Sequence, residues 1–282
     1  MELMQTPLGF LQIKNMPSDK ELWDYYNNKY HELKIEGKTG YTQEEIIHKD
    51  IICKEMQFFI SQDTRTFLDL GTGEGFFMNF FDKLGLDVTG IDFSSDGVTK
   101  NFPHLLDRLI VGNLYHEIEK LCAKNNKYDA IVCNNVIEHV KDPIDFINKI
   151  KSLLSPSGIC RLSVPNDNSL IQNLAINKGY AKKEFWKSYP DHLNYFNCEN
   201  FIFTLSNSGF KIIDMLADFP IDIFLLNQDS NYQQSPTLGR NCHFAKTMLE
   251  NAIASESIEK IIHLRRGFAA AGIGRVVTAY CK

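Results

Sequence analysis

One segment constrains the fold more than any other: Thr66-Phe67-Leu68-Asp69-Leu70-Gly71-Thr72-Gly73-Glu74-Gly75-Phe76. Phe67–Leu70 is an apolar run of strand length, broken only by Asp69 near its carboxyl end. Gly71, Gly73 and Gly75 then let the backbone turn and approach a ligand where a Cβ would collide. Beyond them Phe76, Phe77, Phe80, Phe81 and Leu84 recur at helical spacing. A buried strand that turns through glycines into an amphipathic helix sets its ligand at the carboxyl end of a central strand.

The run is GxGxG, and Phe76 occupies the position at which a dinucleotide fingerprint needs its last glycine. Asp69 places a carboxylate just ahead of the turn, where a pyrophosphate would be repelled. A cationic ligand fits better, and S-adenosylmethionine (SAM) carries both an ammonium and a sulfonium. A nicotinamide-dependent oxidoreductase is the weaker alternative, opposed by Phe76 and Asp69.

Strand–helix alternation continues from there. Strands are expected at 66–70, 87–91, 108–111, 128–133, 159–164, 210–215 and 275–280. Helices are expected at 76–84, from 94 or 95, and at 115–124, 143–154 and 198–208. Asp142 before Pro143 is an N-cap with proline at the first helical position, and 155–158 reads as a turn. The alternation implies an α/β, Rossmann-like, mostly parallel sheet with helices on both faces.

Ahead of the sheet, Ser18 and Glu21 form a capping-box pattern for an aromatic helix over 19–32, and a second helix spans 44–61. Residues 1–61 are therefore expected to be an N-terminal helical lid or packing segment, and 62–282 the main domain. Two insertions, about 166–197 and 219–272, interrupt the rhythm. The second carries helices near 243–254 and 257–270. Long insertions at the ligand edge of a rigid sheet are where acceptor specificity resides.

With 282 residues, 44% of them apolar, the chain can bury a large core. Its net charge of −5 and the lack of a Lys/Arg block argue against a nucleic acid partner. Seven scattered cysteines without a C-x-x-C pair suit reduced thiols better than disulfides or zinc. The N-terminus lacks a basic-then-apolar signal, and no apolar run approaches a membrane span. The expectation is a cytoplasmic protein with no membrane span.

The order of motifs resembles class I SAM-dependent methyltransferases over about residues 62–215. The carrying residues are F-L-D-L-G-T-G-E-G-F (67–76), V-T-G-I-D-F-S (88–94), G-N-L (112–114), Y-D-A-I-V-C-N-N-V-I-E-H-V (128–140) and L-L-S-P-S-G (153–158). V-P-N-D-N-S (164–169) and D-H-L-N-Y-F (191–196) complete them. The Glu-His-Val element is similar to the ubiquinone-biosynthesis O-methyltransferase branch. The D-H-L-N-Y-F and A-G-I-G-R (271–275) elements look more like methyltransferases of bacterial capsule and surface-polysaccharide clusters. The resemblance implies a seven-stranded sheet with its last strand antiparallel.

It also implies a site. Asp92 would accept both ribose hydroxyls of SAM; Gly71, Thr72, Gly73, Gly75 and Phe76 would admit its methionine and ribose; Asp69 would hold its ammonium. Phe93 would stack on adenine, Asn113 and Leu114 would meet the adenine edge, and Asn134 and Asn135 would lie beside the reacting methyl. C-N-N-V is not the Asn/Asp-Pro-Pro run of DNA amine methylation. An alcohol acceptor profits from a base, for which His192 and His139 are candidates, with Tyr195 orienting the acceptor. The ubiquinone branch holds a divalent cation with Glu-x-x-Glu-His. Here Asn135 stands at the first Glu, so Glu138 and His139 alone remain, and metal dependence is not favoured. Arg240, His243, Arg265, Arg266 and Arg275, if convergent, would suit a phosphate or carboxylate on a small-molecule acceptor such as a sugar, a nucleotide-linked sugar or a capsule phosphoramidate precursor.

Overall fold

Short runs rich in Val, Ile, Leu and Phe form the main sheet: β3 (Thr66–Leu70), β4 (Asp87–Asp92), β5 (Leu109–Val111), β6 (Tyr128–Asn134), β7 (Leu154–Pro165), β9 (Ile212–Ala217) and β10 (Val276–Cys281). The computed structural model describes residues 1–18, 20–22, 24–25 and 40–282. The strand order is β5-β4-β3-β6-β7-β10-β9. β3 pairs in parallel with β4 and β6, which puts the glycine turn at mid-sheet. β10 runs antiparallel to both β7 and β9, so the last strand is the reversed one, as expected.

Side chains alternate across β3. Leu68 and Leu70 join the core under α5 (Pro143–Leu153), with Phe146, Ile147 and Ile150. Phe67 joins the opposite core with Met56, Met78 and Phe81, under α1 (Gln43–Phe59) and α2 (Phe76–Lys83). Asp69 shares the face of Phe67 and thus points toward α1. Burying each of these large side chains contributes about 1.5–3 kcal/mol. α3 (Asp96–Asn101) adds Val98 to the second core, and α4 (Leu114–Ala123) and α7 (Cys198–Asn207) add Ile118, Leu121, Phe201 and Leu205 to the first.

The chain begins with a hairpin, where no strand was expected. β1 (Leu3–Gln5) and β2 (Leu11–Ile13) pair antiparallel, and β2 adds β8 (Asn194–Tyr195) from the first insertion. Leu3, Leu11 and Ile13 pack there against Trp186, Leu193 and Tyr195, and that packing overrides local preference. The capping box at Ser18 and Glu21 is formed, with Glu21 N donating to Ser18 Oγ at 3.2 Å and Ser18 N to Glu21 Oε2 at 2.7 Å. Most of the helix expected over 19–32 lies outside the described residues. α1 does form, capped reciprocally by Thr42 and Glu45.

The first insertion contains an unexpected helix, α6 (Leu170–Asn177), capped by Ser169 and Gln172. The second carries α8 (Gly239–Glu256) and α9 (Ile258–Ala270), with α8 beginning four residues before the expected 243. The turn expected at 155–158 is absorbed into β7, whose register shifts opposite Tyr128 and Ala130. Among the described residues, no helix is long and apolar enough to cross a membrane.

Candidate active site

The three glycines of the turn all take the left-handed conformation, with φ of 78°, 57° and 82° for Gly71, Gly73 and Gly75. A Cβ at Gly71 would stand 2.4 Å from Val136 Cγ2, whereas one at Gly73 would meet nothing within 4 Å. Gly71 is therefore fixed by packing, and Gly73 opens onto ligand space. Thr72 braces the turn from within, its hydroxyl donating to Asp69 O at 3.1 Å. Asp92, at the end of β4, accepts from Gly73 N at 2.8 Å and from Ser94 N at 2.9 Å. Burial raises the pKa of Asp92, and these backbone donors work against that rise.

A cavity of about 380 Å³ lies against this turn, lined in part by Asp69, Gly71–Gly73, Phe76, Asn134 and Asn135. Asp69 is 3% exposed, and its Oδ2 has no hydrogen-bond partner among the described residues. Burial, reinforced by the nearby Asp92 charge, lifts its pKa to about 8 against the pull of Arg161. A buried, unpaired carboxyl oxygen is costly, and a cation in the cavity would relieve it. Gly75, Asp92, Phe93, Asn113 and Leu114 stand outside this lining. Asn113 caps α4, its Oδ1 accepting from Tyr115 N at 3.0 Å and His116 N at 3.3 Å, so that oxygen is committed to the helix.

Past the end of β6, a short 3₁₀ turn over Ile137–His139 meets the first insertion. His139 Nδ1 lies 2.6 Å from the carbonyl oxygen of Asp191. A carbonyl can only accept, so Nδ1 carries the proton and Nε2 is the basic nitrogen of neutral His139. The His139 and His192 rings meet edge to face with centroids 4.9 Å apart. Glu138 is wholly enclosed, and burial pushes its pKa well above the carboxylate range. One ligand atom from each of Glu138, His139 and His192 lies within 4.8 Å of the others, a spacing that could hold a cation. Tyr195 is buried, its hydroxyl donates to His192 O at 3.1 Å, and burial lifts its pKa to about 12. It braces the loop.

Residues 44–215 match the methyltransferase-domain family. The chain belongs to that family. Its cofactor is SAM, and a nicotinamide oxidoreductase is set aside. Ubiquinone biosynthesis O-methyltransferase of Hydrogenovibrio crunogenus is 34% identical over 121 residues, 42% of this chain and 50% of that protein. The enzyme of the same name from Colwellia psychrerythraea is 29% identical over 154 residues, 52% of this chain and 61% of that protein. The chain thus spans about half the length of the curated relatives it matches. Among solved structures, a SAM-dependent methyltransferase from Archaeoglobus fulgidus superposes with a TM-score of 0.51 at 16% identity, over 83% of this chain and 94% of that one. The Burkholderia thailandensis 1,6-didemethyltoxoflavin-N1-methyltransferase, solved with S-adenosylhomocysteine, gives 0.50 at 14% identity, over 76% and 91%.

The orphaned oxygen of Asp69 and the open space over Gly73 fit a methyltransferase's cofactor. Two charged residues that sequence reading passed over complete the cavity wall. Arg161 of β7 donates to Asn134 Oδ1 and, through Nε, to Tyr280 Oη at 3.0 Å. Glu55 of α1 lies 3.6 Å from Arg161 and accepts from Tyr280 Oη at 2.7 Å and from Arg265. The detectable signal was a charge inside an otherwise apolar run, as at Ile159-Cys160-Arg161-Leu162. Lys49 stands at the rim, its Nζ 4.6 Å from the Phe76 ring centroid and 3.4 Å from Glu74 Oε2.

The expected cationic cluster does not converge. Arg265 is buried between Glu55 and Glu250, Arg266 pairs with Asp214 at 2.6 Å, and Arg275 faces Asp222 and Asp167. His243 lies 3.5 Å from Glu45. Arg265, Arg266 and Arg275 each face a carboxylate, and Arg240 acts with His243 on Glu45, because the insertion packs its charged faces onto α1 and the sheet edge rather than onto one opening.

Proposed function

We propose that this protein transfers the methyl group of SAM to a hydroxyl oxygen of a small polar acceptor. The hydroxyl acceptor rests on the His139–His192 pair, a basic nitrogen held by a fixed tautomer at the carboxyl end of β6. SAM supplies an electrophilic methyl on a good leaving group, so alignment accounts for much of the rate. His139 Nε2 takes the proton that the acceptor hydroxyl must lose, His192 packs beside it, and Tyr195 fixes the His192 backbone. Asp69 binds the ammonium and Asp92 the ribose hydroxyls. Phe93 covers the adenine, Leu114 and the Asn113 amide meet its edge, and Asn134 and Asn135 bound the reacting end. Residues 40–61 wall the cleft through Lys49 and Glu55. The relatives bearing O-methyltransferase names support oxygen as the acceptor atom.

A second reading has a specific basis: Glu138, His139 and His192 hold a divalent cation that binds a catechol-type acceptor, despite Asn135. One experiment tests both. Release of S-adenosylhomocysteine is followed with sugars, nucleotide-linked sugars, capsule-type phosphoramidates and catechols, with and without EDTA. Turnover on a hydroxyl acceptor that survives EDTA is the expected result, and loss of turnover on chelation selects the cation reading. Turnover on amines alone would overturn oxygen transfer.

A further inference from the structure

We infer that Arg161 reads the carboxylate of the methyl donor, so that Arg161 and Asp69 together hold the zwitterionic amino-acid end of SAM. The inference rests on the reading of Asp69 as the ammonium partner and names what lies opposite it.

Sheet register puts the two residues in one row. Asp69 of β3 pairs with Val132 of β6, and Val132 pairs with Arg161 of β7. Residues paired across a parallel sheet project from the same face, so both side chains leave it toward α1, two strands or about 10 Å apart at the backbone. Val132 between them is buried and apolar. The long Arg161 side chain reaches back toward β6, where its Nη1 donates to Asn134 Oδ1. Asp69 and Arg161 both line the cavity of about 380 Å³ beside Gly71 and Gly73.

Arg161 is under-bonded for a buried cation. It is 6% exposed, yet only two of its five N–H groups donate: Nε to Tyr280 Oη at 3.0 Å and Nη1 to Asn134 Oδ1. Glu55 stands 3.6 Å from Nη2, too far for a hydrogen bond, and is already bonded by Arg265 and Tyr280. Every other described cation lining the cavity is hydrogen-bonded to a carboxylate. Arg265 has Glu55 and Glu250, His48 has Glu250, Lys246 has Asp218, and Lys49 has Glu74. Arg161 has none. A buried guanidinium with open N–H groups in a cavity wall points to an anion supplied by a ligand.

Asn134 adds to the donor set. A guanidinium only donates, so the Asn134 atom facing Arg161 is its Oδ1, which also accepts from Ser163 Oγ at 3.1 Å. Its Nδ2 is left as a further donor in the cavity wall. A wall of donors repels an ammonium, while Asp69 and Glu55 in the same lining oppose a doubly charged phosphate. A singly charged carboxylate held next to an ammonium answers both ends of the row. An α-amino acid carries that pair on one carbon.

The test compares ligands as well as variants, on the full chain. Calorimetry measures binding of S-adenosylhomocysteine, of its decarboxylated analogue, which keeps the ammonium, and of methylthioadenosine, which lacks the whole amino-acid end. We expect S-adenosylhomocysteine to bind at least tenfold more tightly than the decarboxylated analogue. Arg161→Gln should weaken S-adenosylhomocysteine at least tenfold and leave the decarboxylated analogue unchanged, a difference that a merely structural role would not produce. Should Arg161→Gln fail to fold, Asn134→Asp decides. It keeps an oxygen for Arg161 and sets a negative charge beside the carboxylate subsite, so S-adenosylhomocysteine should weaken and the decarboxylated analogue should not. Equal affinity of the wild type for those two ligands, or equal losses of both in the variants, overturns the proposal. If the decarboxylated analogue binds no better than methylthioadenosine, the Asp69 reading fails and the proposal falls with it. Failure of all three to bind the wild type defeats the cofactor site as a whole.

Discussion

Most of the proposed cofactor contacts are local: Asp69, the glycine turn and Asp92 all come from one strand–helix–strand unit, β3-α2-β4, although Glu55 and Arg161 wall the cavity they face. The proposed acceptor end gathers Glu138 and His139 after β6 and His192 from the first insertion. In the reading proposed above, the first recognises its ligand chiefly through backbone shape and two carboxylates. The second depends on long-range closure of loops onto the sheet edge. Damage at the two ends should therefore look different, with cofactor affinity lost at one and turnover or folding lost at the other.

That contrast can be broken in several ways. The largest stability effect should come from Arg265→Ala, which removes the cation held between Glu55 and Glu250 and leaves them only Tyr280, Arg161 and His48 in the interior. Removing one partner of a buried pair costs about 3–5 kcal/mol, read as a fall in denaturation midpoint, and a silent substitution would show that the insertion is not anchored there. Next is His139→Asn, expected to lower kcat by about 10²–10³ while leaving cofactor affinity intact. Equal loss in cofactor affinity would merge the two ends into one. Asp92→Ala should weaken S-adenosylhomocysteine by about 100-fold in calorimetry, through lost charged hydrogen bonds of about 2.7 kcal/mol. Retained affinity would remove Asp92 from the site.

The smallest effect is one of pH. Asp69 titrates at about 8 in the unliganded protein, against about 3.9 for an unfolded Asp. It is therefore neutral at pH 7, and a bound cation favours its charged form. SAM binding should expel a proton below pH 8, with affinity rising by up to tenfold per pH unit toward 8 and then levelling. Calorimetry in buffers of different ionisation heat reads the proton directly. In the absence of ligand the sign reverses for stability: the unfolded chain ionises Asp69 from about pH 4, so this group's contribution falls as pH rises from 4 to 8.

The same contrast explains what could be read from the sequence. The sheet and glycine turn were legible because short apolar runs and alternate glycines are local signals, and the observed strands follow them within a few residues. The hairpin at Leu3–Ile13 was not, since its strands are defined by Trp186, Leu193 and Tyr195, far away in the chain. Arg265 and Arg275 were candidates for a convergent cationic cluster because nothing nearby in sequence announces Glu55, Glu250 or Asp167. His139 and His192 were both singled out, but their edge-to-face contact depends on how the first insertion folds back.

β2 finds its third strand only at Asn194–Tyr195, and Gln12 Nε2 donates to Asn194 Oδ1 at 2.7 Å. On the ribosome, β2 must therefore wait for more than 180 further residues before its outer edge is covered. During that interval β3 to β6 can already condense around the cofactor turn. The turn is thus expected to form well before the cavity it faces, whose far wall at Asp218, Arg265 and Thr278 is made last.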